Sequence, residues 1–307
     1  MARSVTVRVP AKVNLDLRVG AARPDGYHPL ATVFQAVDLC DEVVVAEGSP
    51  GSGVCLDIEG HGAADLPRDD GNIAVRAARA AARAAGRDPD LRITIAKSIP
   101  VAGGMAGGSA DAAAVLVACD ALWDGALGRD RMDTLAADLG SDVPFLLRGG
   151  TMLGTGRGER LAPVLARGRL HWVVALSEGQ LSTPAVYAEF DRLTAGAALP
   201  APGVGEAMLQ ALRADDAGAV GLALHNDLQA AALSLMPSLA RTLEAGIDLG
   251  ALGGIVSGSG PTCIFLARSH EHALDIAVGL TTTGLVRSVR CASGPVPGAG
   301  VLTRGLA

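Results

Sequence analysis

The chain has 307 residues, 49% of them apolar, with a mean hydropathy of +0.34 and a formal net charge of −6. That length supports one large domain or two moderate ones with ample core. No apolar run approaches a membrane span, no Lys/Arg cluster interleaved with aromatics marks a nucleic-acid surface, and MARSVTVRVPAKVN has no apolar signal-peptide core.

In chain order, the first fifty residues alternate apolar and polar and predict strands: SVTVRVP, VNLDLRV, ATVFQAVDL and DEVVVAE, broken by the turn-rich ARPDGYHP. GSPGSGVCLDIEGHG predicts a hairpin region. Asn72 predicts an N-cap for IAVRAARAAARAAG, a helix that stops at Gly86. LRITIAKS is a strand, and after a glycine loop Ser109 or Ala110 opens a helix to about Trp123. RDRMDTLAADLG is a second helix, and SDVPFLLRGGTMLG a turn and strand. RLHWVVALS starts the second half as a strand, followed by helix TPAVYAEFDRLTAG and the surface connector LPAPGVG. Helices run through DLQAAALSLMPSLARTLEAG. GGIVSGSGPTCIFLA reads as strand, turn, strand, HEHALDIAVGLTTTG as a helix and LVRSVRCAS as the final strand. Strands dominate early and alternate with helices late, which predicts α+β in two lobes, 1–163 and 164–307.

The five cysteines, Cys40, Cys55, Cys119, Cys263 and Cys291, are widely spaced with no CxxC pair. Neither a zinc ribbon nor a disulfide framework is expected, four of the five read as small core residues, and a reducing cytoplasm is the expected compartment. His61, His171, His225, His270 and His272 form no metal-binding spacing. Of 26 basic residues only Lys12 and Lys97 are lysine, as if a compact, mobile point charge were needed there.

The densest chemical signal is PVAGGMAGGSAD, Pro100 to Asp111, with two glycine pairs running into an apolar helix. Glycines permit close backbone approach, and a helix start aims unpaired N–H groups at one point, so an anion is expected there. No Gly-Lys pair exists, which excludes the P-loop, and no G-x-G-x-x-G opens a helix after a strand, which excludes the dinucleotide fingerprint. The nearest approach to the latter, Gly154-Thr155-Gly156-Arg157-Gly158, precedes a charged pair.

Three segments in order resemble the GHMP small-molecule kinases: VPAKVNLDLRV with RPDGYHPLATVFQAVDL, IPVAGGMAGGSADAAA, and GGIVSGSGPTC, with SDVPF between the last two. The first is similar to the members that act on a substrate carrying cytidine diphosphate. The resemblance spans nearly the whole chain and implies a two-domain fold, with an N-terminal ribosomal-S5-like ATP-binding domain and a C-terminal ferredoxin-like domain around one active site. It implies ATP as phosphate donor, Mg2+, a small-molecule acceptor hydroxyl, and no nucleic-acid, membrane or evident protein partner. Lys12 and Asp142 match the family's catalytic pair. The triphosphate would lie on Pro100, Val101, Ala102, Gly103, Gly104, Met105, Ala106, Gly107, Gly108, Ser109 and Ala110, with the Ser109 hydroxyl near a phosphate or Mg2+. Asn72 and Lys97 resemble residues at the adenosine end, Gly258, Ser259 and Gly260 the supporting loop, and Asn14, Tyr27, His28, Thr183 and Tyr187 the acceptor contacts. Simpler structural roles stand beside these: a helix cap for Asn72 or Asp142, a strand-end charge for Lys97, a β-turn for 258–260. Another family member (a homoserine, mevalonate or sugar kinase) or a non-catalytic nucleotide-binding protein on the same fold is the alternative.

Overall fold

A computed structural model describes residues 2–60, 62–101 and 103–306. The four short strands expected at the start are two long ones, β1 (Arg3–Val19) and β2 (Leu30–Glu47), paired antiparallel along their length. Bulges at Pro10/Ala11 and Asn14/Asp16 interrupt the apolar alternation without ending the strands, so one bent ribbon reads as separate segments. β3 (Val54–Gly60) and β4 (Leu91–Lys97) are parallel rather than a hairpin, because the chain crosses between them through helix α1 (Ile73–Ala85). Asn72 caps α1, accepting the Ala74 N–H at 2.9 Å, and Gly86 ends it at φ 64°.

Helix α2 (Gly107–Leu122) starts two residues earlier than the sequence predicts and is buried along most of its length. Its alanines let it lie close against α1 and β1. Beyond it come α3 (Arg129–Leu139), α4 (Val143–Arg148), β5 (Thr151–Gly156) and β6 (Arg160–Pro163). The turn expected at SDVPFLLR is thus a short helix, which Pro144 can begin because its missing N–H falls in the first turn.

The second half supplies β7 (Leu170–Leu176), α5 (Thr183–Leu193), α6 (Glu206–Ala214), α7 (Ala217–Ala223) and β8 (His225–Asn226). Then follow α8 (Gln229–Leu235), α9 (Ser238–Asp248), β9 (Gly253–Val256), β10 (Cys263–Ala267), α10 (His270–Thr282), β11 (Ser288–Gly294) and β12 (Gly300–Leu306). The segment LVRSVRCAS is therefore not the last strand. β12 returns to the first sheet and pairs antiparallel with Arg3–Arg8 of β1, while β8 pairs in parallel with Asp16 and Leu17.

Two sheets result. The larger has the path β12-β1-β2-β4-β3, with β5 also on β2, and the smaller is antiparallel in the order β11-β7-β10-β9. One face of the smaller sheet (Val173, Ala175, Phe265) packs on α9 and α10 through Leu239, Ile276 and Leu280. Its other face (Trp172, Val174, Ile264, Leu266) joins the core formed by β1, β2, α1 and α2. The Trp172 indole N–H, fully buried, donates to Gln35 Oε1 at 2.9 Å and stitches the sheets together. Among the described residues all five cysteines are free thiols. Cys119 and Cys263 are buried as expected, but Cys40 and Cys291 are half-buried and Cys55 is exposed. No described helix is long and apolar enough to cross a membrane.

Candidate active site

Between β12 and β8 the outer edge of β1 is left without a strand partner, and the glycine loop docks there: the Lys12 N–H donates to the Met105 carbonyl at 3.3 Å. Met105 is fully buried beneath the loop and Ala110 beneath the helix, so these two back the loop rather than face a ligand. Ala106, at φ 61°, precedes α2 and has no side chain able to cap it. The first intrahelical bond there runs from the Ala110 N–H to the Ala106 carbonyl, so the N–H groups of Gly107, Gly108 and Ser109 lie ahead of the helical ladder. With the positive end of the helix dipole, they form an anion cradle.

Gly104 shows why glycine is required. Its φ is +70°, and a Cβ there would overlap the Ser257 carbonyl oxygen of the third motif. The Ser257 hydroxyl also donates to the Gly104 carbonyl at 3.2 Å. Gly104→Ala is expected to lower the melting temperature by several degrees and raise the KM for ATP at least about tenfold. Gly108→Ala is the control for stability: its Cβ would meet only Ile73 Cγ2 at 3.5 Å, so its melting temperature should stay near that of the parent. Equal melting of the two variants would refute the packing argument.

The third motif is held in place from two sides. Asn226 Nδ2, on β8, donates to the Val256 and Gly258 carbonyls at 2.8 Å each. The Thr183 and Ser259 hydroxyls share a hydrogen bond of 2.9 Å. A Cβ on Gly258 would lie 3.3 Å from the Gly104 carbonyl, 3.4 Å from Lys12 Nζ and 3.5 Å from Asn14 Oδ1, so β1, the glycine loop and the turn meet there.

Lys12 and Asn14, two apart on β1, share a face. Lys12 is 6% exposed, donates to Asn14 Oδ1 at 2.6 Å, and its Nζ lies 5.7 Å from the Phe34 ring centroid. The Asn14 amide in turn donates to Thr32 Oγ1 at 2.8 Å, which fixes which side of Asn14 meets the ammonium. Asp142 stands just before α4 but makes no capping hydrogen bond, so its carboxylate is available to the cleft. Burial and, secondarily, the negative charge of Asp142 push the Tyr187 phenol up to about 12, so the phenol stays protonated at neutral pH.

Lys97 is engaged differently from the expectation. Its ammonium is buried between the Asp41 and Asp111 carboxylates (2.8 Å to Asp111 Oδ2) and also donates to the Gly107 carbonyl at 3.3 Å. Asp41 Oδ1 accepts the Ser98 and Ile99 N–H groups at 2.6 and 2.8 Å. The cluster therefore ties the entrance of the glycine loop to the start of α2. Burial opposes charge on Lys97, but the two carboxylates outweigh it and its pKa is raised. Burial pushes the Asp111 carboxyl up to about 8 against the pull of Lys97, helped by the charge of Asp41.

One cleft of roughly 640 Å³ gathers Lys12, Asn14, Asn72, Lys97, Pro100, Val101, Gly103, Gly104, Ala106, Gly107, Gly108, Ser109, Asp142, Thr183, Tyr187 and Gly258 to Gly260. Ala102 lies outside the described residues. Tyr27 and His28 stand beside the cleft rather than on its wall. The His28 ring packs 5.0 Å from Tyr187 and 5.9 Å from Phe190, and its Nδ1 donates to the Gly20 carbonyl at 2.8 Å, which leaves Nε2 3.5 Å from Asp191. Tyr27 is 54% exposed with the Arg157 guanidinium 5.1 Å from its ring centroid. Sequence reasoning missed Asp111, Thr32 and Arg157 on the cleft wall, and Asp41 and Asn226 behind it. The signal for Asp111 was present in GGSAD, one helical turn beyond Gly107.

The family profile for the GHMP kinases N terminal domain matches residues 72–150, and that for GHMP kinases C terminal matches 208–284. The chain belongs to the GHMP kinase family. Both matched regions contribute residues to the cleft. The chain is 56% identical over 298 residues to 4-diphosphocytidyl-2-C-methyl-D-erythritol kinase of Nocardia farcinica, covering 97% of this chain and 96% of the relative. It is 54% identical to the enzyme of that name from Streptomyces avermitilis, covering 97% and 100%. A crystal structure of 4-(cytidine 5'-diphospho)-2C-methyl-D-erythritol kinase superposes with a TM-score of 0.74 at 35% identity, over 94% of this chain and 98% of that one. Homoserine kinase from Cytophaga hutchinsonii has the same TM-score at 19% identity, over 97% of each chain, and shares the fold.

Proposed function

We propose that the chain transfers the γ-phosphoryl group of ATP to the 2-hydroxyl of 4-diphosphocytidyl-2-C-methyl-D-erythritol, giving the 2-phosphate and ADP, in isoprenoid precursor synthesis. The observation that carries this reading is the cleft that joins the glycine loop to Lys12, Asp142 and Tyr187, with His28 packed against Tyr187 beside it. Identity above 50% along nearly the whole chain to the named relatives supports it.

Phosphoryl transfer asks a protein mainly for positioning and charge stabilisation. The free N–H groups of residues 107–109 would hold the phosphates. Asp142 would accept the proton of the acceptor hydroxyl as the oxygen attacks phosphorus. Lys12, in a nearly dry setting, would stabilise the charge spreading over the transferred phosphoryl, with Asn14 steering its ammonium. Tyr187, held neutral, would offer an aromatic face to a pyrimidine. Ser109 and Asp142 line the same cleft and are oxygen donors, which suits Mg2+, an ion that binds through one or two protein oxygens plus phosphates. When bound, Mg2+ would neutralise β- and γ-phosphate charge. Asn72 would border the adenosine end while also capping α1.

The test is ADP release measured with the cytidyl substrate, mevalonate and homoserine in parallel. Turnover with the first should exceed the others by at least about a thousandfold. Comparable or preferred turnover of mevalonate or homoserine would overturn the acceptor assignment, and no turnover of any would favour a non-catalytic role.

A further inference from the structure

We infer that Arg157 is a specificity-determining residue that binds the diphosphate of the acceptor substrate; the inference rests on the acceptor reading above. Arg157 sits in the β5–β6 turn, one residue beyond Gly156, which pairs with Leu30 at the start of β2. The turn is shaped by Gly156 at φ +78° and Gly158 at φ +109°, and Gly154 carries no Cβ because one would press on the Phe34 ring at 2.7 Å. The glycine-rich near-miss in the sequence is therefore a hairpin that presents one arginine to the cleft.

The surroundings of that arginine leave its charge uncompensated. Glu159, two residues on, directs its carboxylate to the Arg157 backbone N–H at 2.6 Å and lies 4.0 Å from the Arg160 guanidinium. Among the described residues no carboxylate forms an ion pair with the Arg157 guanidinium, which stacks instead on the Tyr27 ring. A guanidinium so stacked keeps its in-plane N–H donors free, the fork that suits phosphate oxygens.

The other cations on the cleft wall are spoken for or are elsewhere. Lys97 is neutralised by Asp41 and Asp111, and Lys12 is directed to Asn14 beside the phosphate loop. Arg76 is on α1, one turn beyond Asn72. Among the described residues, Arg157 is the cation of the cleft wall that stacks on Tyr27. An acceptor whose cytidine is bridged to its polyol by a diphosphate brings negative charge to the Tyr27 end, and the Arg157 guanidinium is placed to answer it.

The experiment compares binding of CDP, cytidine and ATP to the parent protein, Arg157→Ala and Arg157→Lys, with the donor site filled by a non-hydrolysable ATP analogue for the first two ligands. The parent should bind CDP at least about tenfold more tightly than cytidine. Arg157→Ala should bring CDP down to the level of cytidine, leave cytidine within about threefold, and raise the KM for the cytidyl substrate far more than it lowers kcat. Arg157→Lys should keep part of the CDP preference. Equal weakening of CDP and cytidine would reduce Arg157 to a prop for Tyr27 and overturn the inference. So would an unchanged CDP preference, or a loss confined to ATP. A parent protein with no affinity for CDP or cytidine would instead remove the acceptor reading itself, and this inference with it.

Discussion

Asp142→Asn is expected to lower kcat by about 10²–10⁴-fold while ATP binding survives. The substitution keeps shape and removes the charge, and Asp142 makes no capping hydrogen bond, so α4 has little to lose. On the proposed reaction, the amide cannot take the proton of the acceptor hydroxyl. Tyr187 supplies an independent readout in the same variant. Its phenol is pushed up to about 12 first by burial and then by the Asp142 charge, so its ionisation, followed by absorbance, should move down in Asp142→Asn. Turnover within tenfold of the parent, with that titration shifted, would show that the carboxylate is present but does not take the proton.

The second large effect concerns stability. Lys97→Met should cost about 3–5 kcal/mol in chemical denaturation at pH 8, because it takes the cation out of a buried cluster that keeps the Asp41 and Asp111 side chains. Asp111→Asn separates charge from geometry, since an amide oxygen can still accept from Lys97. In the folded protein the Asp111 carboxyl stands at about 8, against about 3.9 when unfolded, so the folded state binds the extra proton between those values. The contribution of Asp111 to stability is therefore greatest below about pH 4 and falls as pH rises through 4 to 8. Asp111→Asn should flatten that slope. A parent protein and variant with the same pH dependence would show that the cluster is charge-neutral by some other arrangement.

How far residues reveal such features depends on the range of the interaction. The glycine loop was legible because glycine's constraint is local: Gly104 at positive φ and an uncapped helix start are properties of a few neighbouring residues. Lys12 and Asp142 were picked out by their resemblance to the family's motifs, and α1 by its cap and stop residues. The partners of Lys97 were not legible, since Asp41 is 56 positions away and nothing in DLCDEV marks one aspartate as buried. The parallel placement of β3 was hidden by a glycine-rich stretch that looks like a hairpin when its crossover helix is not yet in view. The return of β12 to β1 was hidden most completely. GVLTRGL has an ordinary strand pattern, and only pairing with residues 3–8 decides which sheet it joins. Arg157 was visible as part of a glycine cluster, but its use depends on Tyr27 lying beneath it.

The strands β8 and β12 carry a mechanical meaning beyond completing a sheet. Both come from the second half of the chain, and both are hydrogen-bonded to the strand that bears Lys12. Pulling the halves apart would peel the two backbones from opposite ends of β1 and draw the Trp172 indole from Gln35. A clam-like swing of one half against the other would thus break backbone pairings on both sides of Lys12.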